Sequence, residues 1–231
     1  MLLSLKRFPI AVTYRSKEVH MKDWTGNKNS VYTTLGASNH TQDEREQDDF
    51  YATDPIAIDL LLKKEQPSFY IWECACGAGH LSNRLEDFGH VAYSSDIKNR
   101  KHRTPDAIQD FLKATELPLN CGAFDIITNP PYKYAKEFVL KALELLAEGH
   151  KCYMFLKLTF LEGIDRYKEL FSKYPPKTVY VFPKRVLCAK NGDFNGMKER
   201  GGSAVAYSWF VWEKGYTGKP TIDWLFEGEV K

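Results

Sequence analysis

An alternation of short apolar segments with amphipathic segments constrains the fold of this chain more than any other feature of its sequence. Apolar segments that predict strands lie at 68–73, 90–96, 123–129, 150–158, 177–183 and 203–214, and a further strand should end near Asp110. Segments that predict helices lie at 55–64, 79–89, 135–149 and 160–174. Because strands that alternate with helices through short connections form parallel sheets, we predict an α/β domain with a mostly parallel, seven-stranded sheet and helices on both faces.

Two segments do not follow this alternation. Residues 1–49 are polar and end in the charged run TQDEREQDD, which predicts a solvated, partly mobile arm before a domain that spans 50–231. Residues 184–202 are basic and rich in glycine, and they form the one long connection within the predicted domain. A connection of that length is either a functional loop or a disordered segment.

The composition excludes several classes of protein. With 43% hydrophobic and 27% charged residues, the chain is typical of a soluble globular protein, and no apolar run approaches the length of a membrane span. Five cysteines without a repeating spacing indicate reduced thiols and a cytoplasmic location. We expect no metal site, because Cys74 and Cys76 fit no common zinc pattern. The net charge of +2 is too small to indicate nucleic-acid binding by itself, so local basic patches would have to provide it.

A glycine turn follows the first long predicted strand. The segment IWECACGAGH places Glu73 at the end of that strand, and Gly77 and Gly79 just before a helix. Glycine allows positive φ and close approach of a ligand to the backbone, and ligands of open parallel sheets bind at the carboxyl ends of the strands. Ser82 stands where a dinucleotide fingerprint has its third glycine, so that fingerprint is incomplete. The segment is either a cofactor turn or an ordinary structural turn.

Two further acidic residues follow at strand ends. Asp96 ends the next predicted strand, seventeen residues after Gly79 (96 − 79), which is close to the spacing of about 20 residues expected for a carboxylate that binds ribose hydroxyls. Asp110 and Phe111 lie where the third strand should end. A carboxylate accepts a hydrogen bond from an exocyclic amine, and a phenyl ring can cover a nucleobase. Taken alone, Asp96 is equally an aspartate that ends a strand or caps a helix, and the dipeptide Asp110-Phe111 indicates little.

The tetrapeptide Asn129-Pro130-Pro131-Tyr132 follows the apolar run FDIIT at the same predicted edge of the sheet. Proline fixes its own φ and restricts the preceding residue, so Asn129 and Pro130 should be held extended. The Asn129 side-chain oxygen and the Pro130 carbonyl are then two acceptors for the N–H groups of a planar amine, and Tyr132 can stack on its ring. The alternative is a turn that merely ends a strand.

The order of these motifs resembles that of class I S-adenosylmethionine-dependent amino-methyltransferases. The sequence is most similar to DNA N6-adenine methyltransferases of the phage and prophage type, and the segment FYATDP at 50–55 is similar to their N-terminal cofactor segment. The resemblance covers roughly residues 35–225 and implies a single Rossmann-like class I methyltransferase domain. It also implies S-adenosyl-L-methionine as cofactor, DNA with a flipped adenine as substrate, and a bacterial or phage-infected cytoplasm as location.

The resemblance implies a role for each motif residue. Residues implied for the methionine portion of the cofactor are Tyr51, Thr53, Asp54, Glu73, Cys74, Ala75, Gly77 and Gly79. Residues implied for its ribose and adenine are Asp96, Ile97, Asp110 and Phe111, and those for the target amine are Asn129, Pro130, Pro131 and Tyr132. Two features depart from the family pattern: Cys74 replaces a common proline, and no separate target-recognition domain is evident, so loops should supply any sequence specificity.

Basic and aromatic residues near the predicted edge are candidates for substrate contact. Phe160 is a candidate second stacking ring, and Lys184, Arg185, Lys198 and Arg200 lie in the glycine-rich loop, which we expect to close on DNA. A second basic cluster at 98–103 is either a DNA contact or a solvated surface. The tetrapeptide also suits an rRNA base or a glutamine amide, and a non-catalytic binding module is the third possibility. The oligomeric state stays open.

Overall fold

The computed structural model describes residues 51–100, 102–118, 123–190, 192–199 and 202–228, so the predicted arm at 1–49 lies outside the described residues. Its strands are β1 (Tyr51–Thr53), β2 (Tyr70–Glu73), β3 (Val91–Asp96), β4 (Ala107–Ile108), β5 (Phe124–Thr128), β6 (Lys151–Lys157), β7 (Thr178–Val181), β8 (Cys188–Lys190), β9 (Tyr207–Glu213) and β10 (Thr221–Trp224). Its α-helices are α1 (Ile56–Leu61), α2 (His80–Asp87), α3 (Ala135–Leu145), α4 (Ile164–Arg166) and α5 (Phe194–Glu199).

Eight of these strands form one sheet in the order β10-β7-β9-β6-β5-β2-β3-β4. All neighbouring pairs are parallel except the two that β9 makes, with β6 and with β7, which are antiparallel. The structure therefore confirms a mostly parallel sheet. It adds one strand to the predicted seven, because the short segment β10 extends the edge beside β7.

Helices cover both faces of this sheet, as predicted. Neighbouring residues of β5 show the division: Ile127 packs in a core cluster with α1 and α2, whereas Ile126 packs in a second cluster with α3. Helix α3 buries a stripe at helical spacing, formed by Ala135, Phe138, Val139, Ala142 and Leu143. A strand that is buried on both faces is mainly apolar, and all five residues of β5 are buried. Its buried Asp125 accepts hydrogen bonds from the backbone N–H groups of Ser68 and Lys151, both at 2.8 Å.

The helix predicted at 160–174 is wrong as a single element. A 3₁₀ turn occupies Leu158–Leu161, α4 follows Gly163, and a π-helix spans Tyr167–Phe171. Gly163 has a φ of 120°, which interrupts any continuous helix at that point. The glycine inside the segment prevents one regular helix.

The described part of the long connection at 184–202 contains regular secondary structure. Strand β8 pairs antiparallel with β1 in a separate two-stranded ribbon, with Thr53 opposite Cys188. Helix α5 follows within the same connection. None of the helices in the described ranges is long and apolar enough to cross a membrane.

A buried polar cluster joins Glu65, four residues after the end of α1, to the sheet. The carboxylate of Glu65 accepts hydrogen bonds from the hydroxyls of Tyr153 (3.2 Å) and Tyr180 (2.7 Å), and the ammonium of Lys151 lies 2.7 Å from it. Glu65 is only 9% exposed, so these partners replace the water that its charge would otherwise need. Lys151 opens β6, which places the cluster at the amino ends of the strands.

Replacing Glu65 with alanine should lower the free energy of unfolding by about 3 kcal/mol, because two buried hydroxyls and an ammonium lose their shared acceptor. Urea unfolding measures this loss. Glu213→Ala is the control, since Glu213 pairs with Lys177 near the surface and should cost less than about 1 kcal/mol. Equal losses in the two variants would contradict a structural role for the Glu65 cluster.

Candidate functional site

The sheet register brings the predicted motif residues to one edge. Strand β5 pairs in parallel with β2, with Ile126 opposite Trp72, and β2 pairs in parallel with β3, with Glu73 opposite Ser94. The carboxyl ends of parallel strands meet at the same edge of a sheet. The glycine turn after β2, Asp96 at the end of β3 and the tetrapeptide after β5 are therefore neighbours.

The glycine turn is fixed to β3 by backbone and carboxylate contacts. Gly77 has a φ of 57° and donates its N–H to Asp96 Oδ2 at 2.8 Å. Cys76 donates its N–H to the carbonyl of Ser95 at 2.9 Å. Gly79 has a φ of 81°, a conformation that residues with a Cβ rarely adopt. The turn therefore needs glycine for its own geometry as well as for the approach of a ligand.

Glu73 is a buried carboxyl group beneath this turn. It is 2% exposed, and it accepts hydrogen bonds from the backbone N–H of Ser82, at 2.7 Å, and from the Ser82 hydroxyl. Burial raises the pKa of Glu73 from 4.5 to about 8, against the opposing effect of the Ser82 hydrogen bonds. At neutral pH this side chain holds a proton that a nearby cation would displace.

The side chain of Arg103 lies across Gly79. A Cβ on Gly79 would stand 2.5 Å from Arg103 Cδ, and the guanidinium binds Glu86 at 2.6 Å and Asn83 at 2.7 Å. Arg100, from the same basic cluster, lies with Nε 3.7 Å from Asp96 Oδ1. Both arginines therefore interact with residues in or next to the turn, and contact of this cluster with DNA stays a prediction.

Asp110 and Phe111 have different surroundings. Asp110 Oδ1 accepts the backbone N–H of Leu112 at 3.1 Å and begins a 3₁₀ turn at Phe111–Lys113. The ring of Phe111 is 2% exposed and meets Trp72 edge-on, with the ring centres 5.1 Å apart. Phe111 is thus a core residue in this structure, and a role against a nucleobase stays a prediction.

Residues Tyr51–Thr53 of the predicted N-terminal cofactor segment form β1, and Asp54 follows this strand. Thr53 is 2% exposed, and among the described residues its hydroxyl has no hydrogen-bond partner. Asp54 accepts the backbone N–H of Ile56 at 3.2 Å and so stabilises the start of α1. Tyr51 is half-exposed, and Ile97 at the far side of the turn is also largely exposed. Burying a hydroxyl without a hydrogen-bond partner costs free energy, and a bound ligand that supplies the partner would remove this cost.

The tetrapeptide is held mainly by the β1–β8 ribbon. The side-chain amide of Asn129 donates to the carbonyl of Tyr51 at 2.8 Å and to Cys188 Sγ at 3.4 Å. Pro130 is buried, and Pro131 is exposed with its carbonyl accepting the N–H of Tyr134 at 2.8 Å. The structure thus joins the tetrapeptide to the predicted cofactor segment.

Tyr132 is constrained by residues that the sequence did not single out. Its hydroxyl lies 3.2 Å from Cys188 Sγ, its ring stacks on Tyr207 at 6.0 Å, and the ammonium of Lys157 lies 5.2 Å from its ring centre. Burial holds the pKa of Tyr132 well above its usual value, so the hydroxyl stays protonated. No local pattern marks Cys188 or Tyr207, because a tertiary pairing brings them to the site.

A pocket of about 120 Å³ opens beside Tyr132. Phe160 lines it, as do Lys157, Thr159 and Arg166, and the Arg166 guanidinium lies 5.1 Å above the Phe160 ring. Phe160 is 9% exposed and packs edge-on against Phe210 and Trp212. Phe160 thus lies beside the tetrapeptide with little of its surface open for stacking, and its role as a second stacking ring stays a prediction.

The long connection also reaches the start of α2. The ring of Phe194 meets the ring of His80 edge-on at 5.6 Å. Burial lowers the pKa of His80, which favours the neutral form of its ring. Lys184, Arg185 and Lys198 are exposed, whereas Arg200 lies outside the described residues. Across the described ranges, no group of three or more His, Cys, Asp or Glu side chains is placed to hold a metal ion.

Comparison with known proteins supports the fold. No protein-family model and no curated protein matches the sequence. A candidate hemolysin from Lactococcus lactis superposes with a TM-score of 0.53 at 10% identity, over 73% of this chain and 91% of that protein. One from Streptococcus thermophilus superposes with a TM-score of 0.50 at 11% identity, over 73% and 68%. These two likenesses show the fold.

A candidate class I S-adenosylmethionine-dependent methyltransferase from Listeria monocytogenes is also similar, with a TM-score of 0.47 at 13% identity. The match covers 74% of this chain and 62% of the Listeria protein, so the chain spans less than two thirds of its length.

Glu73 should make stability fall as pH rises. Because its pKa is about 8 in the folded protein and about 4.5 in the unfolded chain, the folded state binds more protons between those values. The free energy of unfolding should therefore decrease through this window, by up to about 1.4 kcal/mol per pH unit, relative to a Glu73→Gln variant. Urea unfolding of both proteins from pH 4 to 9 measures the difference; a difference that does not change with pH would contradict the raised pKa.

Proposed function

We propose that this protein transfers a methyl group from S-adenosylmethionine to a planar exocyclic amine, the N6 amine of adenine in DNA. The observation that carries the proposal is the sheet register, which brings the segment Asn129–Tyr132 beside the glycine turn and Asp96 at one edge. Acceptors for a target amine then stand next to a turn suited to a cofactor. A non-catalytic module would need neither the paired acceptors nor their position.

The residues at this edge fit the proposed cofactor. The buried Thr53 hydroxyl lacks a partner within the described residues, and a ligand carboxylate is an acceptor that would satisfy it. Asp96 would accept the ribose hydroxyls, and ionised Glu73 would face the cationic amino-acid portion. Such a cation would draw the proton from Glu73, whose pKa of about 8 allows that loss near neutral pH. When bound, S-adenosylmethionine supplies a methyl group on a positively charged sulfur.

The chain itself would activate the target amine through two hydrogen-bond acceptors. The amine lone pair of adenine is delocalised into the ring, so it is a poor nucleophile. Asn129 Oδ1 and the Pro130 carbonyl would each accept one N–H of the amine, which favours a nitrogen with a localised lone pair. No strong base is required, because the extra proton on nitrogen can leave to solvent after transfer. This explains why neutral acceptors suffice at the site.

The basic residues of the long connection support DNA as the carrier of the amine. Lys184 and Arg185 follow the carboxyl end of β7, and Lys198 lies on α5, which contacts the start of α2 through Phe194. All three basic side chains are exposed. Phosphate neutralisation by such residues provides most of the non-specific affinity for DNA. We infer that this connection packs on the DNA backbone while an adenine enters the site.

A substrate panel tests the proposal. Purified protein and methyl-labelled S-adenosylmethionine are offered unmethylated DNA, RNA and a glutamine-containing protein acceptor, and the modified nucleosides or residues are identified. We expect N6-methyladenine in DNA. If only RNA or only protein is labelled, that acceptor and not DNA is the substrate. If no acceptor is labelled, the proposal that the protein is a methyltransferase is wrong.

Asn129→Ala should lower methyl transfer by at least about a hundredfold, because an acceptor that acts on the reacting amine is lost. Binding of S-adenosylhomocysteine, measured by calorimetry, should change little, since the contacts proposed for the cofactor stay in place. Thermal unfolding serves as the control for folding. Full activity in this variant would contradict the role of the tetrapeptide.

The double variant Lys184→Ala, Arg185→Ala should reduce the slope of log K against log salt concentration for DNA binding by about one per lost phosphate contact. Fluorescence anisotropy at several salt concentrations measures the slope. Lys173→Ala is the control, because exposed Lys173 precedes β7 and so lies at its opposite end. An unchanged slope in the double variant would contradict contact of Lys184 and Arg185 with DNA.

A further inference from the structure

The orientation of the Asn129 amide is fixed by its partner on β1. The nitrogen Nδ2 lies 2.8 Å from the carbonyl oxygen of Tyr51. A backbone carbonyl can accept hydrogen bonds but cannot donate them, so the amide atom that faces it must be the nitrogen. The reverse orientation would set two acceptor oxygens against each other.

Cys188 on β8 takes a second contact from the same nitrogen. Its Sγ lies 3.4 Å from Asn129 Nδ2, 3.2 Å from the Tyr132 hydroxyl and 3.8 Å from the Tyr51 carbonyl. The thiol can donate to the Tyr51 carbonyl while it accepts from Asn129 and Tyr132. Cys188 is 2% exposed, and burial raises the pKa of its thiol, so the neutral form that can donate is the stable one.

The pairing of β1 with β8 positions the two acceptors of the Asn129 amide N–H groups, the Tyr51 carbonyl and Cys188 Sγ, next to each other. Thr53 pairs with Cys188, and the N–H of Asp54 donates to the Leu187 carbonyl at 3.0 Å. The strand implied for the cofactor therefore also holds the thiol that contacts Asn129. Because both amide N–H groups of Asn129 have partners on this ribbon, only Oδ1 is left for a substrate.

We propose that the β1–β8 ribbon, through the Tyr51 carbonyl and Cys188, sets the orientation of the Asn129 amide. It thereby selects a substrate that donates a hydrogen bond to Asn129 Oδ1. The inference rests on the proposed function and deepens it. An amide held in this way accepts from an exocyclic amine and repels a carbonyl oxygen at the same place. Cys188 is a positioning residue in this scheme: it acts on the substrate through Asn129 and Tyr132.

The test compares Cys188→Ala and Cys188→Ser with the wild-type chain. Cys188→Ala removes one hydrogen-bond acceptor, so we expect kcat for methyl transfer to fall about tenfold while KM for the cofactor stays within about twofold. Cys188→Ser keeps an acceptor and a donor and should restore kcat to within about threefold of the wild type. Cys152→Ala is the matched control, because it truncates a fully buried thiol on β6 that lies opposite Ile126 and makes none of the hydrogen bonds described for Asn129, Tyr132 and Cys188, and it should leave kcat unchanged.

A second measurement reports on the amide without any turnover. In a chain labelled with ¹⁵N-asparagine, the two Asn129 side-chain N–H signals, assigned by their loss in Asn129→Ala, should exchange slowly with solvent. In Cys188→Ala one signal should shift and exchange faster, while Cys152→Ala leaves both unchanged. If the wild-type chain methylates nothing, the proposed function fails, and this spectrum still decides the orientation.

Three results would overturn the inference. The first is unchanged Asn129 N–H signals together with unchanged kcat in Cys188→Ala. The second is an equal loss of kcat in Cys152→Ala, and the third is no recovery of kcat in Cys188→Ser. Either of these last two would mean that packing around a buried side chain, and not its hydrogen bonding, sets the activity.

Discussion

The parallel pairing of β5 with β2 is the constraint on which the rest of the site depends. It places the carboxyl end of β5 beside the carboxyl end of β2. Asn129, directly after β5, therefore lies next to the glycine turn, which comes directly after Glu73 at the end of β2. A parallel sheet buried on both faces tolerates little change in register, because a shift by one residue would exchange the two core clusters around Ile126 and Ile127. The core therefore fixes the relative position of the two motifs.

The site uses burial in two ways. At Glu73 burial raises the pKa to about 8, which leaves a carboxyl group that can lose its proton when a cation approaches. At Cys188 burial keeps the thiol neutral and so preserves its capacity to donate to the Tyr51 carbonyl. Both groups belong to the same edge, where acceptors and donors are arranged before any ligand arrives, and the proposed methyl transfer to a weak nucleophile requires such an arrangement.

The motifs on the sheet edge could be predicted from the sequence because they follow their strands directly. Gly77 and Gly79 mark a turn by their chemistry, and the prolines mark the end of β5, so parallel pairing alone brings them together. The β1–β8 ribbon could not be predicted in this way. Cys188 meets Tyr51 across 137 residues of chain, and both strands are only three residues long. The buried ring of Phe111 and the position of Arg103 over Gly79 likewise depend on tertiary packing that no local pattern reveals.

The central claim is that the glycine turn and the tetrapeptide serve a single reaction. A crystal structure of the chain with S-adenosylhomocysteine tests it most directly. We predict that the amino-acid portion lies on the turn beside Glu73 and Thr53, that the ribose hydroxyls bind Asp96, and that the sulfur faces Asn129 with room for one planar amine between them. A ligand bound elsewhere, or a sulfur directed away from Asn129, would contradict the account.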